Sequence, residues 1–277
     1  MARGRNVRYI SPGGHVWHLH GEDMGAEGVY LTSLAGFYHQ VRVPVTLTPA
    51  YMRGAIPGPP KTDASSIGMK IFTSAETPEE WEEVESRWWN AETGWSDEED
   101  GTLVVESLST GTTRWQPVRL SKYPEDPFDY EPEDTMDWNM SVISYDPGWR
   151  GPLLRSSWTG GPGVGTITLA NPGDLETWPH FAGDPVPGIR LPDGIDGTQV
   201  ALPNTMDPDN GEFLVVTDQL EVTIEDMANS QVVALLAGLM FQNPIPPGTG
   251  VVQAPIQAGG ATTIRATIQP LYRRPWG

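Results

Sequence analysis

The sequence predicts a mainly β protein of two β-sandwich-like domains, the N-terminal one carrying a single amphipathic helix. Three observations support that class. Short runs that alternate apolar and polar residues and end in Gly, Pro or Ser recur along the chain, the period-2 signature of half-buried strands. Only one stretch shows helical spacing flanked by capping residues. Gly and Pro together make 58 of 277 residues, loop-rich yet below the roughly 25–30% at which composition argues for disorder. This length suits two domains, each able to bury a core.

The first candidate strand is "HVWHLHGED", residues 15 to 23, which holds three of the five histidines. Side chains alternate faces along a strand, so His15, Trp17 and Leu19 share one side while Val16, His18 and His20 share the other. Three imidazoles therefore cannot converge on one ion without a bulge. Trp17 and Leu19 are expected to anchor the core, with His18 and His20 on an outward or intersubunit face. As a pair, His18 and His20 are weak metal candidates needing a third ligand from Glu22, Asp23, His39 or His180. A structural strand is the favoured reading, and histidine titration on such a face would tune assembly with pH.

Half-buried strands are next expected in "VRVPVTLTP" (41 to 49), "SIGMKIFTS" (66 to 74), "GTLVVESL" (101 to 108) and "TRWQPVRLS" (113 to 121). In "TPEEWEEVESRWWNAETG" the period changes. Thr77 is a natural N-cap, Pro78 suits the first helical position, Glu80 completes a capping box, and the acids complement the helix dipole. Trp81, Val84 and Trp88 recur at helical spacing, which predicts a helix near 78–92, with Gly94 as its stop. Trp88 and Trp89 diverge by about 100° on such a helix. One can face the sheet while the other faces a partner, and both are marked with His18 and His20 as candidate interface residues.

"SKYPEDPFDYEPEDTMDW" (121 to 138) is rich in prolines and acids and reads as a long excursion. One more strand follows in "WNMSVISYDPGWRGP". "SSWTGGPGVG" (156 to 165) has the composition of a linker, so the domains are expected as 1–155 and 156–277, with the boundary between about 148 and 163. Beyond it, "GIRLP", "GTQVAL", "GEFLVVTD", "LEVTIED", "TGVVQAPI" and "TTIRATIQPLY" are spaced like the strands of an antiparallel sandwich. "QVVALLAGLMF" (231 to 241) suits a strand or a short buried helix, and strand is preferred.

Composition narrows the function classes. With no cysteine, disulfide frameworks, thiolate zinc sites and cysteine nucleophiles are excluded. The start "MARGRNVRY" lacks the apolar stretch of a secretory signal, and the run Val232 to Phe241 is shorter than the roughly 20 residues that cross a bilayer, so no membrane insertion is expected. A net charge of −19 argues against nucleic acid held through its phosphates. The charge is uneven. Residues 76 to 137 carry 19 of the 36 acids against Arg87, Arg114, Arg119 and Lys122, leaving −15, whereas "MARGRNVRY" and "LYRRPWG" are basic. Solvation of an acidic face is the plain reading; steering of assembly with basic neighbours is the sharper one.

Convergent chemistry is missing. "GGPGVGT" (160 to 166) lacks the Lys of a phosphate loop, "SDEEDG" and "DPDNGE" lack the ligand spacing of an EF-hand, and no G-x-S-x-G elbow occurs. No cofactor and no enzymatic activity are expected. Eleven tryptophans suit cores and subunit interfaces, or a sugar-stacking platform.

The order of the pieces then resembles a known family. "GGHVWHLHGEDMGAEGVYL", a further strand, the helix around "EEWEEVESRWW", and "GTTRWQPVRL" before "ISYDPGW" look like distal tail proteins of long-tailed phages. "ANPGDLETWPHFAG" resembles the segment that opens their C-terminal sandwich, through Asn171, Gly173, Asp174, Trp178 and Pro179. "NPIPPGTGVV" and "RRPWG" look like minor tail proteins of actinobacterial phages. The resemblance implies a homo-hexameric ring at the distal end of the virion tail, made in the host cytoplasm, with a galectin-like C-terminal sandwich facing outward. It implies as partners the tail tube protein, the tail-tip hub or tail-associated lysin, and other minor tail proteins. It carries no catalytic residues. The long excursion at 121 to 138 and the acidic tract near 96 to 100 depart from a plain version of the family. A carbohydrate-binding sandwich that contacts a host envelope is the alternative, and a β-sandwich glycoside hydrolase stands third.

Overall fold

Alternation of buried and exposed side chains is strict in the long strands, and it sets the architecture. The computed structural model describes residues 4–39, 42–48, 53–58, 61–125, 134–204, 208–218, 223–226 and 240–277. Contacts divide the chain into two units, Met1–Arg150 with Arg273–Gly277, and Gly151–Tyr272. The chain is mainly β, with one α-helix among the described residues and several antiparallel sheets, as expected.

In the first unit seven strands lie in the order β2-β1-β9-β10-β11-β8-β3. They are β1 (Arg5–Ile10), β2 (Val16–His20), β3 (Val29–Ala35), β8 (Ser65–Ser74), β9 (Gly101–Ser107), β10 (Thr112–Lys122) and β11 (Thr135–Ser144). Strand β10 serves both halves: Thr112 to Val118 pair with β9, Arg119 to Lys122 pair with β11, and a bulge falls between Leu120 and Lys122. A bulge sharpens local twist, which lets one strand turn from the first half to the second. The remaining short strands are β4 (Arg42–Val43), β5 (Thr46–Leu47), β6 (Ile56–Pro57), β7 (Lys61–Thr62) and β12 (Trp149–Arg150).

Helix α1 is Pro78–Trp88, with Thr77 accepting from the Glu80 amide as N-cap and Trp81, Val84 and Trp88 buried. It stops a turn short of the predicted end. The Asn90 carboxamide oxygen accepts from the Glu92 and Thr93 amides, an alternative to further helix. Thr93 Oγ1 and the Trp95 amide then satisfy the carbonyls of Arg87 and Trp88. Gly94 acts through space rather than as a cap: a Cβ there would lie 1.9 Å from the Trp88 carbonyl oxygen.

An aromatic cluster fills the core of this unit. Trp88 meets Trp17, Trp95 and Tyr9 edge-on at 5.0, 5.7 and 6.4 Å, and Tyr9 stacks on Trp95 at 3.6 Å. The Tyr9 hydroxyl donates to the Gly94 carbonyl, and burial, helped by Asp100, pushes its pKa far up, so the phenol stays neutral. Toward the start of the helix, on the same buried face, Thr73, fully buried, accepts from both Trp81 Nε1 and Trp138 Nε1 at 3.1 Å. Thr73→Val keeps the shape but leaves two buried indole donors without an acceptor. It is expected to cost about 2–3 kcal/mol in chemical denaturation, with Thr73→Ser close to wild type.

Residues Arg273–Gly277 return to this unit. Buried Arg114 donates at 2.8 Å to the backbone oxygens of Arg274 and Gly277. The Arg5 guanidinium stacks 3.8 Å over Trp276, and Tyr38 packs on the same indole.

Two sequence expectations change here. "VRVPVTLTP" is not a half-buried strand. It forms two two-residue ladders, β4 with β7 and β5 with β6, in an exposed arm. Prolines at 44, 49, 57, 59 and 60 remove the amides that a central strand would need. The excursion is shorter than 121 to 138, because β10 runs to Lys122 and β11 begins at Thr135. Residues 126–133 within it lie outside the described residues.

The second unit packs two antiparallel sheets face to face. One has the order β13-β21-β15-β18-β19 and the other β14-β20-β16-β17. Their strands are β13 (Leu154–Gly160), β14 (Gly163–Asn171), β15 (His180–Gly183), β16 (Arg190–Pro192), β17 (Gln199–Ala201), β18 (Phe213–Val216), β19 (Thr223–Asp226), β20 (Thr249–Ala258) and β21 (Thr262–Ile268), with β22 (Leu271–Tyr272) following. Inward residues of both sheets, among them Ile167, Phe181, Leu191, Phe213, Ile256 and Ile264, form one core.

The stretch 156 to 165 is not a linker. It is the end of β13, the start of β14 and the short turn that carries the chain from one sheet to the other, and its glycines make room for an indole: a Cβ on Gly160 or Gly165 would lie 2.4 or 2.0 Å from the Trp158 ring. Of "QVVALLAGLMF", residues 231–239 lie outside the described residues, and Phe241 is buried in the core.

Candidate assembly surface

On β2 the alternation puts Trp17 and Leu19 inside with no exposed surface, His18 half-buried and His20 exposed. His18 is already engaged. Its Nδ1 lies 2.7 Å from Glu27 Oε1, while Glu27 Oε2 accepts from the His18 amide. That double contact ties β2 to the loop leading into β3. Among the described residues no three His, Asp or Glu side chains are grouped to hold a metal ion.

Trp88 and Trp89 diverge as helical geometry requires. Trp88 has no exposed surface and is a core residue, so it has none to offer a partner. Trp89, the C-cap of α1, is half-buried, with its ring 5.5 Å from Trp138 and 6.4 Å from Tyr123. Tyr123, at the end of β10, is 53% exposed. Sequence reasoning did not single it out, because its neighbours read as excursion.

The outer face of α1 is acidic. Glu79, Glu82, Glu83, Ser86 and Arg87 line an open groove of about 690 Å³. Glu82, Glu85 and Trp89 follow one another at helical spacing along the flank. Partial burial, and secondarily the charge of Glu82, raise the Glu85 pKa. A carboxyl raised in the folded state destabilises the fold above that pKa and ceases to do so once pH falls below the unfolded value. Glu85→Gln is therefore expected to raise the melting temperature slightly at pH 7 and to leave it unchanged near pH 3, which a pH series of thermal melts would check.

The arm presents the opposite character. Val43, Val45, Leu47 and Ile56 are exposed, Leu47 by 62% and Ile56 by 49%. A two-stranded ladder has no core of its own, and contiguous exposed apolar surface marks a contact site. Residues 28 to 62 contain no acid and include Arg42, Arg53 and Lys61, in a chain of net charge −19. This acid-free, proline-studded run was the signal that could have identified the arm from sequence. Because these side chains are exposed, Leu47→Ser with Ile56→Ser is expected to leave the denaturation free energy of the isolated chain within about 0.5 kcal/mol of wild type.

The acidic turns are satisfied internally. Ser96 Oγ accepts from the Glu98 and Glu99 amides, and Asp100 accepts from Arg119 Nε at 2.5 Å. In the second unit buried Asp193 accepts from the amides of Gln242 and Asn243 and from the Asn243 side chain. These carboxylates brace loops.

The sequence matches no family model and no curated protein significantly. Solved structures are similar in fold. The Dit protein (gp 19.1) of SPP1, described as a paradigm of the hub adsorption apparatus in phages infecting Gram-positive hosts, aligns with a TM-score of 0.61 at 13% identity, covering 96% of this chain and 98% of that one. A chain of the phage P2 baseplate in its activated conformation with Ca aligns with a TM-score of 0.54 at 11% identity, over 98% of both chains. A chain of the phage p2 baseplate activated with Sr aligns at 0.50 and 11%, over 96% of this chain and 97% of that one. Both units therefore share their fold, in the same order, with phage hub and baseplate chains.

Proposed function

We propose that this chain is a structural, non-enzymatic component of a phage tail tip, a distal tail protein of a long-tailed actinobacterial phage. Six copies form a ring that joins the tail tube protein to the tail-tip hub or tail-associated lysin. Other minor tail proteins attach at its periphery, and the second unit, a galectin-like sandwich, faces outward. The chain is made in the host cytoplasm and ends at the head-distal end of the tail in the virion. The observation that carries this reading is the fold likeness to the SPP1 Dit protein over nearly the full length of both chains. The exposed apolar arm supports it, since a subunit destined for a ring keeps adhesive surface that only assembly covers. Within this reading His18, His20 and Trp89 lie at or beside subunit contacts, while Trp88 acts only as core.

Immunogold labelling of particles that carry this chain tests the placement. Gold at the end of the tail opposite the head is expected. Gold spread along the tube, or particles without label, would count against it.

A further inference from the structure

Two surfaces of the first unit are complementary in both charge and polarity. The arm is basic by sequence and apolar by exposure, with Arg42 and Arg53 exposed beside Val45, Leu47 and Ile56. Around the outer face of α1, carboxylates Glu79, Glu82 and Glu83 flank a groove, and the half-buried Trp89 with the exposed Tyr123 closes the helix end. Neither surface has what it needs on its own. The arm has apolar side chains and no acid, and the helix face has three groove-lining carboxylates against the single cation Arg87, beside two aromatic rings.

Resting on the ring reading above, we propose that the arm of one copy docks across the α1–Trp89–Tyr123 face of the next, with Arg42 and Arg53 meeting the helix carboxylates and Leu47 and Ile56 covering Trp89 and Tyr123. The contact is heterologous, since arm and helix face are different surfaces of one chain. Repeated head to tail, such a contact closes into a ring when its rotation divides a full turn. From Arg42 to Leu47 the arm advances about 17 Å at the rise of a strand, roughly half the width of a patch of about 800 Å². Charge complementarity of this kind fixes register and speeds encounter, while apolar rings at the centre hold the contact. An incoming cation also relieves the repulsion between Glu82 and Glu85, whose like charges already oppose one another.

Reciprocal charge reversal on the full-length chain tests the pairing. One variant carries Arg42→Glu with Arg53→Glu, and the other carries Glu82→Lys with Glu83→Lys. All four side chains are on the surface, so circular dichroism and melting should match wild type. By analytical ultracentrifugation each variant alone is expected to lose ring formation by at least tenfold in concentration. Mixing the two, or combining all four substitutions in one chain, should restore it. In the mixture each reversed arm meets a reversed face on a neighbour, which an arm folded on its own unit cannot do. Rings that persist in both separate variants would overturn the docking and leave the ring reading standing, as would loss without rescue, which points instead to another tail protein as occupant. Absence of any ring from the wild-type chain sinks the ring reading itself.

Discussion

Trp88→Ala is expected to destabilise the first unit by about 3–5 kcal/mol, the range for removing a large aromatic side chain from a packed core. The whole cost is packing. Trp88 touches Tyr9, Trp17 and Trp95, has no exposed surface, and its Nε1 has no hydrogen-bond partner among the described residues. Trp88→Phe retains most of the contacts and removes the unpaired donor, so it should cost less than about 1.5 kcal/mol. Chemical denaturation followed by tryptophan fluorescence would separate them. Equal losses for Ala and Phe would mean that the indole nitrogen, not the ring, is what the site needs.

The second large effect belongs to Asn171, at the end of β14. Its buried carboxamide nitrogen lies 2.8, 3.1 and 3.2 Å from the carbonyls of Leu175, Ile245 and Pro246, and its oxygen accepts from the Gly173 amide. One side chain thus ties the loop after β14 to the segment at residues 245–246. Asn171→Ala leaves those groups buried and short of partners, at about 3 kcal/mol. Asn171→Asp is nearly isosteric yet turns the donor into an acceptor aimed at three carbonyls, so it should cost at least as much as Ala. Calorimetry on both variants would check the order. An Asp variant as stable as wild type would contradict the assigned donor role.

These residues also show how legible the chain is. Period-2 patterns mark β8 to β11 and the parity of β2, because strand faces are set by local alternation and one face is buried. Thr77, Pro78 and Glu80 mark the start of α1, since a cap is a local hydrogen bond. Its end is less visible, because Asn90 competes through its side chain, and Gly94 is needed for close approach to Trp88 rather than for a cap. The 156 to 165 segment misleads for a similar reason. Gly160 and Gly165 are small to admit Trp158, and composition alone does not distinguish that from flexibility. The return of Arg273–Gly277 depends on Arg114, more than 150 residues away, and no short-range pattern encodes it.

For assembly, the visible signal was charge. The acidic block at 76 to 137 stands out in the sequence, and so does the acid-free run from 28 to 62. Their meaning as partners needs exposure, which only the folded chain supplies. Trp89 could be marked from helical spacing, whereas Tyr123, Leu47 and Ile56 needed the structure.

The most direct test of the account is the oligomeric state of the purified full-length chain at high concentration and low salt, by native mass spectrometry with negative-stain imaging. A closed particle of six chains of 30.3 kDa each, about 180 kDa with six-fold views, is predicted for a cyclic homo-oligomer. Monomer alone under those conditions would contradict it.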